Sequence, residues 1–210
     1  QLGMPARTLP AESAVALEAL AASEADPGVL AAVAHAFGNL GAPHGAATLE
    51  RLVTHPDAAV RQGVVRSLAG RDDPRSVAAL IALSADPDDE VRDWATFGLG
   101  ALSGQDTEAL RGALVARLED PCVAARLEAV HGLALRGDAR AAEPALELLD
   151  ADAQGNGHGI WGAHALEEAA VLLAALTGDE RFRAHLPQSG ERLRGTELGR
   201  ALDKALARLG

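Results

Sequence analysis

The chain has 210 residues, a formal net charge of −11, an apolar share of 48% and an aromatic share of 2%. That acidity works against nucleic acid and anionic membranes, which are bound through clustered Lys and Arg and the counterions they release. A lone cysteine, Cys122, leaves no internal disulfide or multi-cysteine zinc site, and no apolar run reaches the roughly 18 residues that span a bilayer.

No charged start with an apolar stretch and cleavage site is visible, so a cytoplasmic location is expected. Residues 1–10 read as a cloning remnant (Gln1-Leu2-Gly3, with Met4 the expected native start) and an N-terminal extension. The apolar mass is Ala, Leu and Val, which suits thin, closely packed helices.

From residue 11 onward a phrase recurs. It reads His55-Pro56-Asp57-Ala58-Ala59-Val60-Arg61, then Asp86-Pro87-Asp88-Asp89-Glu90-Val91-Arg92, then Asp120-Pro121-Cys122-Val123-Ala124-Ala125-Arg126. Pro56, Pro87 and Pro121 lie 31 and 34 residues apart, and Asp26-Pro27 precedes them in an atypical first copy over Val29 to Gly41. Such a period signals stacked helical hairpins. Proline suits a first helical turn, and the Asp before it reads as the N-cap. Asp88, Asp89 and Glu90 add negative charge at the positive end of the helix dipole.

Each phrase leads to a leucine: Leu68, Leu99 and Leu133. Val91, Ala95, Gly98 and Leu99 share one helical face, and the small residues admit a neighbouring helix. Turns follow at Gly70–Pro74, Ser103–Asp106 and Gly137-Asp138. An outer helix then leads to the next phrase, its apolar residues being Leu49, Leu52 and Val53; Leu80, Ile81 and Leu83; Leu110, Leu114 and Leu118; and Leu146, Leu148 and Leu149.

A degenerate fifth copy, Gly157 to Leu166, can be laid on Glu90 to Leu99, which sets Trp161 on Trp94 and His164 on Phe97. The Gly-rich stretch 155–159 before it reads as an inter-helix loop. After Gly178 the period fades. A short helix is expected from Glu180 to His185, ended by Pro187, then a loop at Gln188-Ser189-Gly190. A last helix is expected from Glu197 to Leu209, with Leu198, Leu202, Ala205, Leu206 and Leu209 on one side. Residues 11–178 thus read as the repeat array, and 179–210 as a capping segment of the same domain.

The Asp-Pro-x-x-x-Val-Arg-x-x-Ala-x-x-x-Leu-Gly pattern resembles the HEAT-repeat family, and within it the short bacterial repeats similar to those of phycobilisome lyases. The resemblance implies an all-α, right-handed solenoid of about five stacked hairpins with a C-terminal capping helix. It also implies a ladder between neighbouring repeats, built from a turn Asp and an Arg six residues later. Asp86 with Arg92 and Asp120 with Arg126 match. His55 stands where the acid of Arg61 is expected, and Gly159 where the fifth Arg is expected, so the ladder should end there.

In that family the second helix of each hairpin lines the concave side. With the core positions assigned, the third, sixth, seventh and tenth residues after the internal Pro remain for the inner surface. The seventh-position row reads Gly63, Trp94, Glu128, Trp161, and the tenth-position row Arg66, Phe97, His131, His164. Gln62 and Asp93 precede the first two members of the seventh row. Candidate partner-binding residues are therefore Gln62, Arg66, Asp93, Trp94, Phe97, Glu128, His131, Trp161 and His164. Tryptophan with a few polar groups is the composition of a binding hot spot. The alternative is that both tryptophans fill gaps between Ala-rich helices, and the residues alone leave this open. Glu128, His131 and His164 are zinc-ligand types, but no compact ligand motif accompanies them; no metal, cofactor or catalytic residue is expected.

The function expected is a non-enzymatic scaffold or adaptor that binds a protein or peptide, a basic one given the charge. Toxin-immunity partners are among the roles the resemblance implies for small bacterial members. The same resemblance implies two alternatives: an alkylpurine DNA glycosylase-like enzyme, to which Asp93, Trp94 and Trp161 bear a faint likeness, and a bilin-lyase-like chromophore handler.

Overall fold

The repeated phrase becomes a repeated hairpin. The computed structural model describes residues 11–41, 44–153, 159–186 and 196–209, with the side chains at 11, 153, 159–161 and 163 outside the description. The extension before residue 11, most of the Gly-rich loop and the loop at 188–190 lie outside it as well.

The chain forms two compact units, Gln1–Gly98 and Leu99–Gly210. The first contains α1 (Ala11–Ser23), α2 (Pro27–Leu40), α3 (Ala46–Leu52), α4 (Ala58–Leu68), α5 (Pro74–Leu83) and α6 (Asp89–Phe97). A single π turn, Gly98–Leu102, follows α6. The second contains α7 (Glu108–Val115), α8 (Val123–Leu135), α9 (Ala142–Ala153), α10 (Gly159–Thr177) and α11 (Glu197–Leu209), with 3-10 turns at Ala139–Ala141 and Glu180–His185. Among the described residues every regular element is helical. The fold is an all-α solenoid built of hairpins. In the first unit α2, α4 and α6 lie side by side; in the second, α8 packs on α10 and α11 covers α10.

The core follows the apolar periodicity. Val60, Val64, Leu68, Val91, Ala95, Leu99 and Leu133 are all buried, as are Leu49, Leu52, Leu80, Leu83, Leu110 and Leu114 of the outer helices. In α11, Leu202, Ala205 and Leu209 are buried, but Leu206 is 48% exposed. The face expected for α11 was one residue too wide.

The cap assignment needs correction. At α2 it is as expected: Asp26 Oδ1 accepts the Val29 N–H at 3.0 Å and Pro27 opens the helix. At α4 and α6 the N-caps are Asp57 and Asp88, on the far side of the prolines, and Asp88 accepts from both Glu90 and Val91. The N-cap of α8 is Cys122, with no side-chain bond. The residue before each internal proline instead closes the turn. Asp86 Oδ1 accepts the Asp88 N–H at 2.9 Å and Asp120 Oδ1 the Cys122 N–H at 2.9 Å. His55 does the same with Nδ1, 3.1 Å from the Asp57 nitrogen. A histidine replaces aspartate here because all that position needs is an acceptor two residues before the cap.

The arginine of each phrase braces its own turn. Arg61 Nη1 donates to the carbonyls of His55 and Pro56 (2.7 and 2.9 Å), Arg92 Nη1 to those of Asp86 and Pro87 (2.9 and 3.1 Å), and Arg126 Nη1 to that of Asp120 (2.8 Å). Arg61 also reaches the next repeat: Nε and Nη2 donate to Asp86 Oδ2 and Oδ1 at 2.7 and 2.8 Å, a two-pronged pair nearly sealed from water. The ladder thus joins one repeat's arginine to the following repeat's acid, and Arg61 has its carboxylate although position 55 is histidine.

Helix spacing is set by absent side chains. A Cβ on Gly63 would lie 2.6 Å from the Ala31 carbonyl oxygen, which is how closely α4 meets α2. A Cβ on Gly132 of α8 would lie 2.5 Å from the Gly100 Cα.

A further set of arginines closes the C-terminal ends of the inner helices. Arg71 Nη2 donates to Phe37 O at 2.7 Å, and Arg208 Nη1 to the carbonyls of Ala175 (2.8 Å) and Leu176. Arg136 does most: Nη1 binds Gly100 O (2.7 Å) and Gly132 O (2.8 Å), and Nη2 binds Leu99 O (2.9 Å), Ser103 O (2.9 Å) and Gln105 O (3.1 Å). A helix end leaves carbonyls without partners and carries partial negative charge, so a cation answers both needs. Arg136→Met keeps the stem and removes the donors. It is expected to lower the unfolding free energy by about 1–3 kcal/mol, read by urea titration.

Candidate binding surface

Helix α6 presents Glu90, Asp93, Trp94 and Phe97 as one strip, because residues three and four apart are neighbours on a helix. Alongside it on α4 stand Gln62 and Arg66. Arg66 Nη2 donates to Glu90 Oε1 at 2.6 Å, and Gln62 Nε2 to Glu90 Oε2 at 3.1 Å. The pair locks Arg66 over the Trp94 ring, Cζ 5.0 Å from its centroid. Such cation–π stacking favours a guanidinium on an indole face. The Phe97 ring meets Trp94 edge-on, centroids 5.8 Å apart at 88°. Trp94 and Phe97 are both half-buried. Gln62, Arg66, Trp94 and Phe97 therefore come together as the sequence placed them.

Asp93 sits in the same strip, half-buried, without a hydrogen bond or ion pair among the described residues. Burial, and then the charge of Glu90, pushes its carboxyl up. The sign of the stability effect follows. Unfolded, Asp93 titrates near 3.9; folded, it titrates higher, so at neutral pH the folded state carries a penalty that the unfolded chain lacks. Asp93→Asn removes it. The variant is expected to melt above wild type at pH 7, the gain shrinking as pH falls and vanishing below about 3.9.

The second unit is different. His131 Nε2 lies 3.0 Å from Glu168 Oε2, and the exposed His164 Nδ1 lies 3.9 Å from Glu167 Oε2. Each histidine has its own glutamate from α10. Glu128 is half-buried and engaged in an interaction of its own. Trp161 belongs to α10, but its side chain lies outside the described residues. No cluster of three or more metal-ligand side chains occurs among the described residues.

Two positions left for the inner surface are corrected. Gly63 is buried beneath α2, and Leu127, the sixth residue after Pro121, is 6% exposed. Counting from the proline gives angle around the helix, whereas burial depends on what the neighbouring helices bring. Two partners were missed: Glu90, which stands at the third position and was available, and Glu168, which no motif marks.

Comparison with known proteins bears on this arrangement. The family model for HEAT repeats matches residues 14–100 and 82–156, most of the chain. The chain belongs to the HEAT-repeat family. Protein YibA of Escherichia coli strain K12 is 32% identical over 81 residues, which is 39% of this chain and 29% of YibA, and YibA of Escherichia coli O157:H7 matches to the same extent. The chain thus spans under a third of the length of these curated relatives. An X-ray structure of the Escherichia coli YibA covers 93% of this chain and 82% of that one, at 18% identity and a TM-score of 0.49. The HEAT assignment accounts for the turn acids and phrase arginines as framework. It leaves the Arg66–Trp94–Phe97 strip and Asp93 unexplained. Among the described residues no helix is long and apolar enough to cross a membrane.

Proposed function

We propose that the protein is a non-enzymatic scaffold that seats a basic segment of a protein partner on the α4–α6 face. The observation that carries this reading is Asp93: a half-buried carboxylate with no hydrogen bond or ion pair among the described residues, in one strip with an ordered Trp–Phe pair. A carboxylate held at a cost to stability suits a ligand's ammonium or guanidinium group, and aromatic anchors are where binding energy concentrates. Glu90, Asp88 and Asp89 extend the acidic field around it, and the net charge of −11 favours encounter with a cationic partner. HEAT stacks generally offer extended surfaces for such contacts. A cytoplasmic site of action belongs to the same reading, since a lone Cys122 suits a reducing compartment.

The test is recovery of the partner from the native host, followed by titration of the purified pair. A partner with a Lys- or Arg-rich segment is expected. Trp94→Ala should weaken the complex by about 2 kcal/mol or more while the far-ultraviolet CD stays helical. Excision of alkylated bases by the pure protein, with no partner recovered, would overturn the scaffold reading.

A further inference from the structure

One arginine of the ladder has no acid among the described residues. Arg61 closes its fork on Asp86 of the following repeat at 2.7 and 2.8 Å. Arg126 stands at the same position of its own phrase. It donates to the Asp120 carbonyl oxygen at 2.8 Å, and its other donors have no partner among the described residues. In the register that sets Trp161 on Trp94, the residue matching Asp86 is Ala153, which has no carboxylate and belongs to α9 rather than to a turn.

The half-buried Arg126 borders a groove of about 800 Å³ between α8 and α9. Its walls are Leu118, Val123, Leu127, Leu148 and Ala151. Val123 is 37% exposed in the first turn of α8, where solvent rather than protein meets it. Glu119 and Glu147 are exposed at the border. The volume is that of a small-molecule site.

We propose that this groove binds an aliphatic monocarboxylate, its head group taking the ladder acid's place on Arg126 and its chain lying along the leucine walls. The Arg61–Asp86 pair shows the geometry that a carboxylate adopts on this arginine. A planar fork matches a carboxylate oxygen for oxygen. The two border glutamates disfavour a dianion such as phosphate more strongly than a single negative charge. The apolar walls select a chain over a small polar acid.

Decanoate and decanol are the probes, followed by amide NMR on the full chain. Decanoate is expected to shift resonances of residues 123–127 and 147–151, with decanol at least about tenfold weaker, the loss of one charge-assisted pair. Arg126→Met should abolish that preference. Because Arg126 also braces its turn, a second variant keeps the test sound: Ala124→Trp fills the groove from an exposed position and leaves the guanidinium in place. It should block decanoate while the rest of the spectrum is unchanged. Equal binding of the two probes, retention of decanoate by either folded variant, or no shift in the groove overturns the proposal. Displacement of decanoate by lower concentrations of a capped Leu-Asp-Leu peptide would overturn the small-molecule assignment.

Discussion

Asp86→Ala is expected to destabilise the protein by about 3–5 kcal/mol, the usual cost of orphaning one member of a buried ion pair. The Arg61 and Asp86 side chains are 10% and 5% exposed, so the guanidinium left behind could not recover its hydration. The same substitution strips the Asp88 N–H of its acceptor and loosens the turn before α6. Urea unfolding followed by CD gives the number. Replacing both partners with apolar residues, Arg61→Met with Asp86→Leu, should recover only part of the loss, because the desolvation penalty goes with the charges while the turn bonds of both side chains stay broken. A single variant within about 0.5 kcal/mol of wild type would mean that the pair is not formed in solution.

Leu99→Ala should cost about 2–5 kcal/mol, the range for truncating a fully buried leucine. Leu99 ends the phrase begun at Asp86 and lies within the π turn, where its carbonyl is held by Arg136. That anchor limits how far the backbone can settle into the vacated space, which places the expected loss in the upper part of the range. Thermal melting monitored at two wavelengths checks it. A negligible change in Tm would contradict the burial of that face.

Repetition made the hairpins legible. Four prolines near a thirty-residue spacing, a leucine after each phrase and small residues between them were enough for helix order and the buried stripe, while the short helix expected at Glu180 to His185, which is a 3-10 turn, came from Pro187 beyond the repeats. Local wiring was harder to read. Aspartate before proline has the chemistry of a cap, but its backbone lies two residues too early at Asp86 and Asp120, and the cap passed to the next acid or to Cys122. The partner of Arg61 was misread for a related reason: a ladder crosses repeats, and a residue's own phrase does not contain its neighbour's acid. For the binding surface, the proline count put Gln62, Arg66, Trp94 and Phe97 on one face. It could not reveal that Glu90 fastens Arg66 over Trp94, since two helices must be brought together before that contact exists. Leu127 went wrong for the opposite reason: a surface position by count was enclosed by its neighbours.

Arg136 gathers carbonyls from Leu99, Gly100, Ser103 and Gln105 and from Gly132 of its own helix. Hydrogen bonds that spring from one guanidinium are all lost when that side chain undocks. The loop after the π turn is therefore released as one segment, governed by whether one side chain is docked. Residues 103–105 would then lose order in one step, while Leu99 stays enclosed in the apolar core.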